Sequence, residues 1–260
     1  DEVVDAFAPH LDVPLKDLMF GDRPELHETR CTQPALFAFE TALFRLAEHH
    51  GLVPDLVAGH SIGELVAAHV AGVLTLDDAA RLVAARGRLM QAARPGGVMI
   101  SVQAGEADLG ELPEGVALAA VNSPTSLVLA GDEDAVTAFA NRFPRARKLQ
   151  VSHAFHSPHM DDVLDEFRAV AATVTHHEAR IPVISTVTGA PLVADADHWT
   201  RQIRGAVRFL DAVRGLEQHG ATVFVEVGPD AVLAPLAQAA GVTAVSLGRA
   251  NRPEPVTAVS

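Results

Sequence analysis

The chain has 260 residues, of which 48% are hydrophobic and 20% charged, and a formal charge of −13. That is enough apolar material for one large domain or a domain carrying an insertion, and the acidic balance argues against general nucleic-acid binding, which needs a basic face. No apolar run reaches the length that crosses a bilayer, no signal peptide is evident, and the lone Cys31 rules out an internal disulfide and fits a reducing cytoplasm.

In chain order, Asp1 opens within what reads as helix, as expected of a piece of a longer polypeptide. Thr32-Gln33-Pro34 predicts a helix start, with Thr32 as cap and Pro34 in the first turn, and the helix runs over 35–50 to Gly51. The short apolar run 55–58 reads as a buried strand, 62–70 as a helix ending at Ala71-Gly72, and 76–93 as a helix opened by Thr75 and Asp77 and closed by Pro95-Gly96-Gly97. The middle then reads strand 98–102, short helix 106–109, strand 116–121, strand 126–130, helix 132–143 and strand 147–151. That β-α-β-β-α-β order is the ferredoxin-like pattern. Helix 160–174, strand 181–186, helix 200–219, strand 223–227, helix 231–239 and strand 242–247 follow. Alternating β and α segments imply a parallel sheet covered on both faces. The expected division is a large α/β subdomain over 1–97 and 153–250, a small one over 98–152, and a linker over 251–260.

The strongest local motif is Gly59-His60-Ser61-Ile62-Gly63, between the strand 55–58 and a helix. This is the G-x-S-x-G elbow, in which the glycines permit a tight turn and the serine is raised above the sheet at a helix N-terminus. Ser61 is the candidate nucleophile, and the Ile62 N–H is a candidate oxyanion donor.

On the helix 76–93, Ala79, Leu82, Val83, Leu89, Met90 and Ala93 fall on one arc, with Arg86 at its centre, whereas Arg81 and Arg88 fall on the opposite face. A guanidinium keeps its charge, so a buried one needs an anion. Arg86 therefore either binds a carboxylate of the substrate, pairs with a carboxylate of the protein, or snorkels to the surface.

Ser61 needs a base. His153, His156 and His159 lie in one loop that follows the last strand of the small subdomain. Their spacing also suits a metal, but no Cys, Asp or Glu falls among them and the elbow supplies a metal-free mechanism, so neither metal nor cofactor is expected. His60 is read as structural. Arg142, Arg145 and Arg147 are either a docking patch or an exposed loop.

Taken together, Gly59-His60-Ser61-Ile62-Gly63-Glu64, Ala85-Arg86-Gly87-Arg88-Leu89-Met90, His153-Ala154-Phe155-His156-Ser157, Ala120-Val121-Asn122-Ser123-Pro124 and Glu226-Val227-Gly228-Pro229 resemble the acyltransferase domain of modular type I polyketide synthases. That family is related to malonyl-CoA:acyl-carrier-protein transacylases. The resemblance implies an α/β-hydrolase-like large subdomain with an inserted ferredoxin-like small one. It implies Ser61 as nucleophile, His156 as base, Arg86 as carboxylate clamp, and Asn122, His153 and Phe155 as substrate-binding residues. It implies a main-chain carbonyl that orients the base, expected at Gln202. His153 and Phe155 resemble the malonyl-specific pattern, where methylmalonyl-specific members resemble Tyr-Ala-Ser-His, and Ile62 is also the malonyl-like choice. The implied reaction takes malonyl from malonyl-CoA, a coenzyme A thioester, to the phosphopantetheine thiol of an acyl carrier protein in polyketide biosynthesis. The implied partners are that carrier and neighbouring synthase domains of the same polypeptide. The Gly-Gln-Gly turn that supplies the family's second oxyanion donor is not found in these residues, so Ile62 is the one donor expected from them.

Overall fold

The computed structural model describes residues 1–250, so the expected linker at 251–260 lies outside the described residues. The chain opens in helix, as the residues after Asp1 read, with α1 (Glu2–Phe7), and a second short helix that was not expected, α2 (Leu15–Phe20), follows before Thr32. They bury Phe7, Leu15 and Leu18 against α3 (Thr29–His49), with the Phe7 and Phe37 rings edge to face at 5.6 Å. Helix α3 starts before Thr32. The Thr32 hydroxyl donates to the Leu26 and Glu28 carbonyls instead of capping, and Pro34 lies inside the helix.

The elbow strand β1 (Val57–Ala58) leads into α4 (Ile62–Val70), and α5 (Leu76–Ala92) is capped by Thr75, whose Oγ1 accepts the Asp78 N–H at 3.1 Å. Helices α3 and α5 cross closely. A Cβ on Gly87 would lie 3.1 Å from the Thr29 carbonyl oxygen, so the glycine lets the neighbouring Arg86 reach the start of α3.

The small subdomain contains β2 (Gly97–Val102), β3 (Val116–Ser123), β4 (Ser126–Asp132) and β5 (Arg147–Lys148). They form one antiparallel sheet in the order β3-β4-β2-β5, the ferredoxin-like order. The helix α6 (Glu133–Ala140) packs on it through Val136 and Phe139, while the first crossover is only a 3₁₀ turn at Glu106–Asp108. The expected strand 147–151 is shortened to two residues.

In the large subdomain a 3₁₀ segment, Pro158–Val163, replaces the first part of the expected helix before α7 (Leu164–Ala171). Strand β6 (Val183–Ile184) pairs in parallel with β1. The expected helix 200–219 is two helices, α8 (Ala196–Arg204) and α9 (Phe209–Gln218). Gly205 ends the first with φ −79° and ψ 162°, and the following chain turns extended. Val207 exchanges backbone hydrogen bonds of 2.9 Å with Ala119 and Val121 of β3, which ties the two subdomains together. The parallel pair of β7 (Val223–Glu226) and β8 (Thr243–Ser246) flanks α10 (Leu233–Ala239). The parallel sheet is thus present as two two-stranded pieces. Leu56 beside β1, Ala58 of β1 and Phe224 of β7 pack on one cluster with Ala212 and Leu216 of α9. No helix among the described residues is long and apolar enough to cross a membrane.

Candidate active site

Ser61 follows β1 as the N-cap residue of α4, with φ 51° and ψ −113°, a conformation open to few L-residues. The turn is tight because Gly59 carries no side chain. A Cβ there would lie 2.0 Å from the Gly63 carbonyl carbon. Gly63 is less constrained, since a Cβ would meet only Glu40 Oε2 at 3.7 Å. The Gly63 and Glu64 N–H groups donate to the His60 and Ser61 carbonyls. The Ile62 N–H donates to no backbone carbonyl among the described residues and opens the helix beside Ser61. It is placed to meet negative charge developing next to Ser61 Oγ.

His156 is also held in the left-handed region, with φ 56°. Two non-glycine residues in such conformations, at about 1–3 kcal/mol each, persist only where surrounding contacts fix them. Here they meet. Ser61 Oγ lies 2.8 Å from His156 Nε2, and His156 Nδ1 lies 3.0 Å from the Gly205 carbonyl oxygen. A carbonyl only accepts, so Nδ1 carries the proton and Nε2 is free to accept from the Ser61 hydroxyl. Burial, then the positive fields of Arg86 and His60, lower the His156 pKa to about 3. The imidazole is neutral at rest, as a base must be.

The carbonyl expected from Gln202 is therefore supplied by Gly205, at the break between α8 and α9. Gln202 lies in the last turn of α8 with its carbonyl within reach of the imidazole as a weaker influence. Its side chain does different work. Its Nε2 donates to the Ser61 carbonyl at 2.6 Å, and its Oε1 accepts from Arg86 Nε at 3.2 Å and Nη2 at 3.1 Å.

Arg86 is 1% exposed. Its Nη1 donates to Gln33 Oε1 at 2.6 Å and its Nη2 to Ser61 Oγ at 2.9 Å. Every partner is a neutral amide or hydroxyl, and no carboxylate of the described residues bridges to it. Of the three sequence readings, snorkelling and a direct protein ion pair do not describe this side chain. Burial lowers its pKa to about 10, opposed by the field of Glu64, and it keeps its charge near neutrality.

His153 is 7% exposed and lies at 2.8 Å from the Ser152 hydroxyl, its ring 5.9 Å from that of Phe155. Phe155 is half-buried against the cores of both subdomains, at their seam. Asn122 is not free for a ligand at its carbonyl. Its Oδ1 accepts from His60 Nε2 at 2.9 Å, and the His60 ring lies 5.7 Å from that of Phe209. His159 donates from Nε2 to Asp132 at 2.8 Å. The three loop histidines thus point to three different partners, and no group of three or more His, Cys, Asp or Glu among the described residues converges as a metal site. Arg142 stacks 4.8 Å over the Phe139 ring.

Sequence reasoning missed Gly205, Gln33, Glu64 and His198. Gly205 carried a signal, since glycine just past a helical run commonly marks a helix end. Glu64 carried the same signal as Arg86, a charged residue within an apolar helical run.

A family model described as "Acyl transferase domain" matches residues 1–252. The chain is 51% identical to the polyketide synthase GfsA of Streptomyces halstedii over 284 residues, covering all of this chain and 4% of that protein. It is 50% identical to the mycoketide-CoA synthase of Mycobacterium tuberculosis, covering 98% of this chain and 6% of that protein. It therefore spans a small fraction of these curated relatives. Among solved structures, the acyltransferase domain from the second module of the salinomycin polyketide synthase superposes with TM-score 0.93 at 49% identity, over 100% of this chain and 64% of that one. A malonyl-CoA:acyl carrier protein transacylase from Xanthomonas oryzae superposes with TM-score 0.89 at 33% identity, over 99% of this chain and 89% of that one.

Proposed function

The chain belongs to the acyl transferase domain family, and from that membership we propose that it transfers malonyl from malonyl-CoA, through an ester on Ser61, to the phosphopantetheine thiol of an acyl carrier protein. The observation that carries this reading is the buried Arg86, a cation with only neutral partners whose Nη2 reaches the Ser61 hydroxyl. An acyl group that brings its own carboxylate supplies the missing anion and is then held beside the nucleophile.

The proposed steps use the groups that surround Ser61. The substrate carboxylate draws the Arg86 Nη2 away from Ser61 Oγ. The Ser61 proton passes to His156 Nε2 as Oγ attacks the thioester carbonyl. The Ile62 N–H stabilises the oxyanion. The C–S bond breaks, and coenzyme A leaves with the proton from His156. In the second half the carrier thiol gives its proton to His156 and attacks the Ser61 ester, and the proton returns to Ser61 as the ester bond breaks. Gly205 holds the Nδ1 proton throughout, so that Nε2 is the atom that takes up and returns the mobile proton. The partners are the coenzyme A thioester, the carrier and the neighbouring synthase domains.

Selection for malonyl over methylmalonyl is assigned to Phe155, with His153 packed beside it. Phenylalanine fills space that an α-methyl branch would need. One methyl group in a pocket changes discrimination by about 1–3 kcal/mol, or roughly 10- to 200-fold. In a competition between malonyl-CoA and methylmalonyl-CoA, Phe155→Ser raises the methylmalonyl share by a factor in that range. An unchanged share removes Phe155 from the specificity determinants.

A further inference from the structure

Glu64 and His198 are a buried carboxylate–imidazole pair that the reaction steps above do not use. Glu64 is 0% exposed and His198 2%. His198 Nε2 donates to Glu64 Oε1 at 2.9 Å. The other oxygen, Oε2, accepts from the Thr186 N–H at 3.1 Å and from its hydroxyl at 2.5 Å. Burying two ionisable groups adds little stability compared with apolar side chains of similar size. Their connections point to a different role.

Each oxygen leads to one flank of Gly205. His198 lies on α8 four residues before Gln202, so both project from the same buried face of that helix. Gln202 in turn grips the Ser61 carbonyl and Arg86. On the other flank, the Thr186 carbonyl accepts the Arg208 N–H at 2.6 Å, just after the extended turn. Glu64 itself stands in the first turn of the helix that Ser61 opens.

We propose that Glu64 and His198 are positioning residues, which clamp the elbow helix to both sides of the α8–α9 break and thereby hold the Gly205 carbonyl on His156 and the Gln202 side chain on Ser61. The claim deepens the assignment of Ser61 and His156 and rests on it. Neither residue touches the reacting atoms. Their loss misaligns the dyad by fractions of an ångström, and a misplacement of about 1 Å can cost about 100-fold in rate.

The test uses the 260-residue chain and a fluorophosphonate, which forms an O–P bond with an activated serine and expels fluoride whatever acyl group the enzyme prefers. His198→Phe keeps the packing and removes the donor. It is expected to lower the maximal labelling rate of Ser61 by about 10- to 100-fold with little change in the half-saturating probe concentration. His198→Gln, which retains a donor toward Glu64, recovers most of the rate. Combining His198→Phe with Gln202→Ala loses less than the product of the two single losses, because part of the His198 effect runs through Gln202. Thr186→Val, isosteric and free of the His198 packing problem, removes the hydroxyl that lies 2.5 Å from Glu64 Oε2 and 2.9 Å from the Gly59 carbonyl of the elbow, and is expected to slow labelling in the same way. Wild-type labelling rates in folded His198→Phe or Thr186→Val, or losses that multiply in the double variant, overturn the proposal. A wild-type chain that labels with the phosphonate but takes no malonyl from malonyl-CoA overturns the acyl assignment alone.

Discussion

Replacing His156 with alanine lowers the rate of Ser61 acylation by about 10²- to 10⁴-fold, the usual contribution of a positioned general base. The size of the effect follows from the local geometry. Ser61 Oγ has two close polar neighbours, His156 Nε2 and Arg86 Nη2, and of these only the imidazole can accept its proton. Rapid-quench measurement of coenzyme A release in the first turnover reads this step directly, and a rate unchanged in His156→Ala contradicts the assignment. The pH profile adds a second signature. A free imidazole titrates near 6.5, whereas burial and the neighbouring Arg86 hold His156 at about 3. The base form is the unprotonated one. The wild-type acylation rate is therefore flat as pH falls through the free-imidazole range, and it declines only where His156 itself takes up a proton. An inflection near the free value would show that the imidazole is less buried in the working enzyme.

Replacing Arg86 with alanine abolishes the preference for malonyl-CoA over acetyl-CoA. Truncating one member of a buried, hydrogen-bonded charge pair costs about 2–5 kcal/mol. At 1.4 kcal/mol per decade that is roughly 30- to 4000-fold in the malonyl reaction. Acetyl brings no carboxylate to Arg86 and does not lose that contact. With no carboxylate to engage Arg86, the Nη2 group stays on the Ser61 hydroxyl and holds the nucleophile back from acetyl. The competition ratio between the two thioesters is the readout, since it is insensitive to the fraction of active protein. A ratio that survives Arg86→Ala assigns the guanidinium to structure and removes the main argument for a dicarboxylic substrate.

The site could be read from the sequence where one residue broke a local rule. Ser61 stood in an elbow flanked by strand and helix. Arg86 stood where the helical period demanded an apolar side chain, and the structure buries it to 1% exposure. The four strands of the small subdomain were legible because their turns and alternation are local, and they assemble in the order the pattern implied. The break at Gly205 was harder to read, since its glycine was the one local signal. The apolar period of α8 continues into α9, and the pairing of Val207 with β3 just past Gly205 is a contact between distant segments. The carbonyl that bonds the imidazole at 3.0 Å belongs to Gly205, at that break, three residues past the Gln202 that the resemblance implied, and the Gln202 carbonyl acts on the same ring more weakly. The partners of Glu64, His198 and Thr186, were hidden for the same reason, since they lie 134 and 122 residues away in the chain. Helix α2 shows a different limit. With six residues it offers too little period to read, and the burial of Leu15 and Leu18 makes it.

The central claim is that Ser61 carries the malonyl group. Intact-mass measurement of the chain after brief mixing with malonyl-CoA, followed by peptide mapping, tests it most directly. A gain of one malonyl group, mapped to Ser61, absent from Ser61→Ala and discharged by the thiol of a phosphopantetheinylated carrier protein, is the predicted result. An adduct that persists in Ser61→Ala, or one that maps to another residue, contradicts it.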